Sequence, residues 1–215
     1  MMEYINFYLM KIFMIASYYL LGDVMIGVLL RDYDNKYTLN KEIKNVISIY
    51  HKSFLAIYPS SLEEFKQLTK LCDGFILQGG KDYTKLEIEM IRYLYENNIP
   101  TLGICLGMQM MSVMNGTIEL IGNNYHQSKE KYVHEIIINE NSKLYSILKQ
   151  KKIWVNSRHI ERITNTSLDI VAYALDGTIE AVEDKNKKFF IGVQWHPESI
   201  MDENSIKIFD CFFNS

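Results

Sequence analysis

A chain of 215 residues with a formal net charge of −3 is long enough to bury a substantial core, and its charge balance, with no basic cluster, argues against a nucleic-acid binder. The three cysteines, Cys72, Cys105 and Cys211, are odd in number and widely spaced, which excludes a disulfide framework and points to a reducing, cytoplasmic compartment. Residues 1–23 read as an N-terminal extension whose apolar stretch, 12–21, is interrupted by Gly22 and Asp23. That stretch is too short for a membrane span and lacks a clean signal cleavage site, so no membrane partner is expected. Residues 24–215 read as one domain.

Residues 24–30 form a continuous apolar run, as expected for a strand buried on both faces. Residues 32–40 are polar and turn-rich. Ile43, Val46, Ile47 and Tyr50 then mark one face of a helix. Residues 54–59 make a short strand closed by Pro59, and Ser61 with Glu64 forms a capping-box pattern opening a helix faced by Leu62, Phe65, Leu68 and Leu71. Residues 74–80 read as a strand ending in Gly79-Gly80. Leu86, Met90, Ile91 and Leu94 mark another helix, stopped by Asn97, Asn98 and Pro100. The strand T-L-G-I-C runs into Cys105, and L-G-M-Q-M-M-S-V-M is a helix ended by Asn115-Gly116.

Four strand–helix alternations with short connections predict an α/β fold: a mostly parallel sheet with helices on both faces, in flavodoxin-like layers. Crossover handedness gathers the strand C-termini on one edge, where ligand sites collect. The second half is richer in strands, at 133–138, 152–157, 169–175, 178–183 and 189–195, with helices at 142–150 and 204–213. It reads as the rest of the same domain carrying a small antiparallel ribbon.

Gly103-Ile-Cys105-Leu-Gly107, after a strand and before a helix, is the cysteine form of a nucleophile elbow. The sharp turn presents one side chain, the glycines relieve crowding, and the helix N-terminus favours thiolate over thiol. The Leu106 N–H would point toward an oxyanion formed during attack. A small buried cysteine in a tight turn explains the motif alone equally well. G-V-Q-W-H-P-E at 192–198 adds a base, His196, and a carboxylate, Glu198, able to hold its tautomer. Gly80 offers a second backbone oxyanion donor.

These three motifs, in this order, resemble class I glutamine amidotransferase-like domains over roughly residues 24–213. The resemblance implies a Cys105–His196–Glu198 triad that cleaves a γ-glutamyl amide through a γ-glutamyl thioester, with backbone oxyanion donors at Gly80 and Leu106 and no cofactor. Gln109 matches the elbow-helix glutamine near the glutamyl portion of the substrate. V-N-S-R-H at 155–159 resembles a segment of the γ-glutamyl hydrolase branch, and implies a glutamyl-pocket wall including Ser157 and His159. Ile160-Glu161 departs from that branch's pattern, as does the glutamine before the double glycine. Chain size and composition resemble the γ-glutamyl-CDP-amidate hydrolases of capsule phosphoramidate biosynthesis, which would release glutamate and cytidine diphosphoramidate. For that substrate Arg158 and Lys81 are the cations expected on the acceptor side. A glutaminase subunit supplying ammonia to a synthetase partner is the alternative, and a homo-oligomer is compatible with either.

No metal is expected: His126 and His134 lie eight apart, and no paired-ligand spacing occurs. His51 reads as a surface or capping residue, Cys72 and Cys211 as small core residues, and Trp154 and Trp195 as core. Met108, Met110, Met111 and Met114 read as packing on a buried helix.

Overall fold

The computed structural model describes residues 24–122 and 125–215, so the reading of residues 1–23 lies outside the described residues. β1 (Met25–Leu29) and β4 (Ser53–Ile57) bracket a hairpin of β2 (Arg31–Tyr33) with β3 (Lys36–Thr38), followed by α1 (Lys41–Ile49). The polar stretch at 32–40 is therefore the tip and returning strand of a hairpin, turned through Asp34 and Asn35 at positive φ, residue types that tolerate it. α2 (Leu62–Thr69), β5 (Gly74–Leu77), α3 (Lys85–Glu96), β6 (Thr101–Ile104) and α4 (Leu106–Ser112) follow in alternation.

Helix starts are set by side-chain caps. Ser61 accepts the Glu64 N–H at 3.2 Å, but the Glu64 carboxylate turns to Ser60, so the expected box is half made. Thr84 and Glu87 close a complete box at the start of α3.

Beyond α4 the chain runs through β7 (Thr117–Leu120), β8 (His134–Ile138), α5 (Lys143–Leu148), β9 (Lys152–Val155), β10 (Glu161–Asn165), β11 (Asp169–Ala174), β12 (Ile179–Glu183), β13 (Phe190–Val193), α6 (Pro197–Ile200) and α7 (Glu203–Phe213). The main sheet has the order β4-β1-β5-β6-β13-β12-β11-β8-β9. From β4 to β13 the pairs are parallel; from β13 to β9 they are antiparallel. β10 and β7 form a separate antiparallel ribbon. The α/β class stands, with the antiparallel strands mainly extending the one sheet.

Each face of the sheet buries its own apolar cluster. One holds Ile26, Val28, Ile76, Phe209 and Trp195; the other Phe65, Phe75, Met90, Met108 and Met111. The four methionines after the elbow are all buried, as packing requires. Trp154 corrects the reading of both tryptophans as core: Trp195 is 2% exposed but Trp154 is 55% exposed, because β9 is an edge strand and Trp154 points to its uncovered face. Cys72 and Cys211 are half-buried at the margins of the clusters, and burial pushes the Cys72 thiol up to about 12. His51 sits exposed in the turn after α1 at positive φ. Among the described residues, no helix is long and apolar enough to cross a membrane.

Candidate active site

Strand register assembles the site. Ile104 of β6 lies opposite Val193 of β13, and Gly103 lies opposite Leu77 of β5. Cys105, Gln194 and the Gly79-Gly80 pair therefore emerge side by side at one sheet edge. Cys105 turns out of β6 with φ 53° and ψ −107°, its N–H held by Val193 O at 2.8 Å, and caps the start of α4. Gly107 permits that turn: a Cβ there would collide with the Leu77 carbonyl. Gly103 is likewise enclosed by Met111 and Gly107.

His196 follows β13, and Pro197 starts α6, whose first turn presents Glu198. His196 Nδ1 lies 2.8 Å from Glu198 Oε1, so the carboxylate accepts from Nδ1 and leaves Nε2 for Cys105. Burial works against the imidazolium; hydrogen bonds to Cys105 and to Glu198, with their negative charge, outweigh it and push His196 up to about 10. Asn156, beyond β9, clamps this turn: its side chain accepts from His196 N at 2.8 Å and donates to His196 O at 3.1 Å. The thiol, imidazole and carboxylate are thus in line, with the imidazole carrying the proton at neutral pH.

Gly79 packs against both groups, since a Cβ there would lie 3.1 Å from His196 Cε1 and 3.5 Å from Cys105 Cβ. Gly80 lies beside Leu106 and Arg31: a Cβ there would stand 3.0 Å from Leu106 Cδ2 and 2.8 Å from Arg31 Nε. Gln78, just before the glycines, is wholly buried. It donates to Leu29 O and Thr38 O and accepts from Asn40 N, tying the end of β5 to the hairpin and to α1. That network gives a physical reason for glutamine at this position.

Arg31 escaped the sequence reading. It is 7% exposed, pairs with Glu87 and donates to Asp82 O. Its signal was an arginine directly after the apolar run of β1. Arg31, Asp82, Tyr83 and Tyr58 line a cleft of about 410 Å³ beside Gly80. The two cations chosen from sequence, Arg158 and Lys81, are exposed, and Lys81 lies over the Tyr33 ring at 5.5 Å.

Gln109 is buried, and its amide reaches Gln194 Oε1 and Glu161 O, each at 3.3 Å. Gln194 in turn lies 3.6 Å from Cys105 Sγ. Gln194 and Asn156 both sit inside segments that were singled out, yet neither was chosen. Gln194 was readable, because it follows β13 directly, two residues before His196. Ser157 is buried and donates to His126 O at 2.9 Å, and His159 holds Glu161 O at 2.8 Å through Nδ1.

The wide spacing of His126 and His134 does not keep them apart. His134 at the start of β8, His159 just after β9 and His126 in the loop before β8, the last two joined by the Gln127–Arg158 bridge and by the His159 N–H on His126 O, meet around the fully buried Glu180 of β12. Eight residues of separation is no bar when the loop between them turns back on itself.

The peptidase C26 family profile matches residues 84–198, more than half of the chain and including Cys105, His196 and Glu198. The chain is 27% identical over 191 residues to "GMP synthase [glutamine-hydrolyzing]" from Francisella tularensis subsp. mediasiatica, covering 86% of this chain and 35% of the relative. It is 31% identical over 143 residues to the enzyme of the same name from Francisella tularensis subsp. tularensis strain WY96-3418, covering 65% of this chain and 27% of the relative. The chain thus spans about a third of the length of these relatives. Among solved structures, the glutaminase domain of Trypanosoma brucei CTPS with bound acivicin superposes with a TM-score of 0.67 at 18% identity, over 89% of this chain and 94% of that one. A glutamine amidotransferase from Methylobacillus flagellatus gives 0.60 at 14% identity, over 87% and 74%. The profile match across the elbow and the His-Pro-Glu turn, on a fold shared with glutamine amidotransferases, makes this chain a member of the peptidase C26 family.

Proposed function

We propose that this chain hydrolyses a γ-glutamyl amide by covalent catalysis at Cys105. The observation that carries the reading is the line Cys105–His196–Glu198, with a strained elbow presenting the sulfur and a carboxylate fixing the imidazole. In the first half-reaction the Cys105 sulfur attacks the γ-carbonyl carbon. The oxyanion is held by the backbone N–H groups of Gly80 and Leu106. The C–N bond breaks, the leaving nitrogen takes the proton carried by His196, and a γ-glutamyl thioester remains on Cys105. In the second, His196 deprotonates a water that attacks the thioester, releasing glutamate and restoring the thiol pair. Gln109 and Gln194 border the glutamyl side, and the Arg31 cleft is the acceptor side.

Two substrate classes fit this chemistry. A stand-alone hydrolase takes a γ-glutamyl amide of a larger amine or amidate, and the γ-glutamyl nucleotide amidate of capsule modification is the narrowest form of that reading. A glutaminase takes free glutamine and passes ammonia to a synthetase. The glutamine-hydrolysing synthases among the relatives, of which this chain covers about a third, favour the second reading. Both place the enzyme in a reducing, cytoplasmic setting.

The test is glutamate release by the purified chain against glutamine, γ-glutamyl-putrescine, γ-glutamyl dipeptides and a γ-glutamyl nucleotide phosphoramidate. Turnover of one larger amide well above glutamine identifies a hydrolase and its leaving group. Weak turnover of glutamine alone, raised by a synthetase, identifies the glutaminase. No glutamate from any γ-glutamyl amide, with the protein folded, overturns both.

A further inference from the structure

Behind the thiol site, four side chains converge in a way the hydrolytic reaction does not use. Glu180 Oε1 lies 3.5 Å from His126 Nδ1, 3.2 Å from His134 Nε2 and 3.6 Å from His159 Nε2. All four residues are buried, Glu180 and His126 completely. A carboxylate in this position is costly unless neutralised, and among the described residues only the imidazoles approach it.

The outer contacts decide which nitrogens carry protons. His126 Nε2 lies 2.9 Å from Asp176 Oδ2, and His159 Nδ1 lies 2.8 Å from the Glu161 carbonyl. Both oxygens only accept, so both outer nitrogens bear hydrogen. In the neutral tautomers, the lone pair of His159 Nε2 therefore faces a carboxylate, which has only lone pairs of its own, while His126 Nδ1 faces that carboxylate at 3.5 Å and the Ser157 hydroxyl at 3.3 Å. Among the described residues, His159 Nε2, both His134 ring nitrogens and both Glu180 oxygens lack a hydrogen-bond partner. Separations of 3.5 and 3.6 Å are long for N–H···O bonds. They approach the ~3.4 Å edge of a tetrahedron whose centre lies ~2.0–2.1 Å from each nitrogen or oxygen ligand. The ligand atoms of His126, His134 and Glu180 all fall within 4.8 Å of one another; His159 stands outside that trio, 3.6 Å from Glu180, and becomes the fourth ligand when a cation draws its imidazole inward. Asp176 on His126 and the Glu161 carbonyl on His159 are the kind of outer partners that orient metal-bound histidines.

We propose that His126, His134, His159 and Glu180 form a closed structural site for a divalent transition-metal cation, Zn²⁺ by its preference for four nitrogen and oxygen ligands without an open position. The cation fastens residues 156–161 to β12. That segment carries Asn156, which clamps His196, and the Glu161 carbonyl, which receives Gln109. The site is a positioning device for the reactive line and touches no reacting atom. It stands whichever γ-glutamyl amide is the substrate.

The test uses tag-free full-length protein. Metal content is measured by plasma mass spectrometry, then metal is stripped with a chelator and Co²⁺ or Zn²⁺ is added back. The expected result is uptake of a single equivalent, tetrahedral d–d bands from Co²⁺ without a thiolate charge-transfer band, and a rise in Tm on adding Zn²⁺. The bands persist in Cys105→Ser and are lost in His134→Gln and Glu180→Gln. Because those two variants alter a buried cluster, Asp176→Asn is the milder probe: it keeps all four ligands and weakens affinity on the order of tenfold or more. A folded wild-type chain that takes up neither ion at micromolar concentration overturns the proposal and leaves the cluster as imidazolium–carboxylate pairs. Unchanged stoichiometric uptake in Glu180→Gln, or a thiolate band that vanishes in Cys105→Ser, also overturns it by placing the metal elsewhere.

Discussion

Cys105 holds a backbone conformation, φ 53° and ψ −107°, that an L side chain adopts only when its surroundings compel it. The compulsion is visible: parallel pairing pins Ile104, and α4 begins at once against Leu77. Such strain costs about 1–3 kcal/mol, and glycine would relieve it while losing about 0.5–1 kcal/mol of its own in chain entropy. Cys105→Gly is therefore expected to be more stable than Cys105→Ala by about 1 kcal/mol in denaturant unfolding, although both lack the thiol and both lose amide cleavage. Equal stability would mean the elbow stores no strain, and full activity in a folded Cys105→Ala protein would remove the nucleophile.

His196 is raised from 6.5 to about 10, against the effect of its burial, by Cys105 and Glu198. A folded pKa above the unfolded value means the pair stabilises the fold fully below about pH 6.5. That contribution is lost as pH rises through about 10. In the proposed mechanism the same proton serves the leaving group, so the alkaline limb of kcat/KM is expected well above the ordinary histidine range. Glu198→Gln keeps the shape but removes the charge. It should shift that limb toward neutrality and lower kcat, which a pH–rate profile reads directly. An unmoved alkaline limb would show that Glu198 does not set the His196 proton.

At the scale of elements, the glycines of the elbow do more than bend the chain. Gly107 opens the contact between α4 and β5, where any Cβ would strike the Leu77 carbonyl. Gly107→Ala must push the helix off the sheet, with an expected loss of about 1–3 kcal/mol from overpacking and a parallel loss of activity as Leu106 moves from Gly80. Thermal unfolding unchanged by this substitution would contradict the close approach. The parallel half was legible because its signals are local: apolar runs of strand length, helix faces at 3.6 spacing, and glycine or proline between them. The β2–β3 hairpin was not, since its strands are three residues long and mostly exposed. A small antiparallel ribbon was expected and is present, but its strands, β7 and β10, escaped for a similar reason, most of their positions being polar or exposed. Trp154 misled because a large aromatic on a strand implies a covered face, and an edge strand need not have one.

At the scale of the molecule, the site is split between the two halves of the sheet. Cys105 and the glycines belong to the parallel half, and their motifs announced them. His196 lies at the junction, and what holds it comes from the antiparallel half, through Asn156. The histidines about Glu180 were illegible for the same reason: their proximity depends on how the loop before β8 meets the segment after β9 and both meet β12, and no short spacing encodes it. Asn156 touches His196 only through its backbone, so Asn156→Ala leaves every member of the reactive line chemically intact. What it removes is the clamp that sets the imidazole's distance to the sulfur. A displacement of about 1 Å in such a line costs on the order of a hundredfold in rate. Substrate binding, which in the proposed mechanism rests on a glutamyl pocket and the oxyanion donors, should change little. The expected outcome is a kcat lowered about ten- to a hundredfold with KM nearly constant, and a modest fall in Tm. If the clamp works by aiming the imidazole, Asn156→Ala adds little to a chain already carrying Glu198→Gln, because both changes then act on the placement of one ring. Fully additive losses would mean that Asn156 serves the fold alone, and that the antiparallel half has no hand in the chemistry.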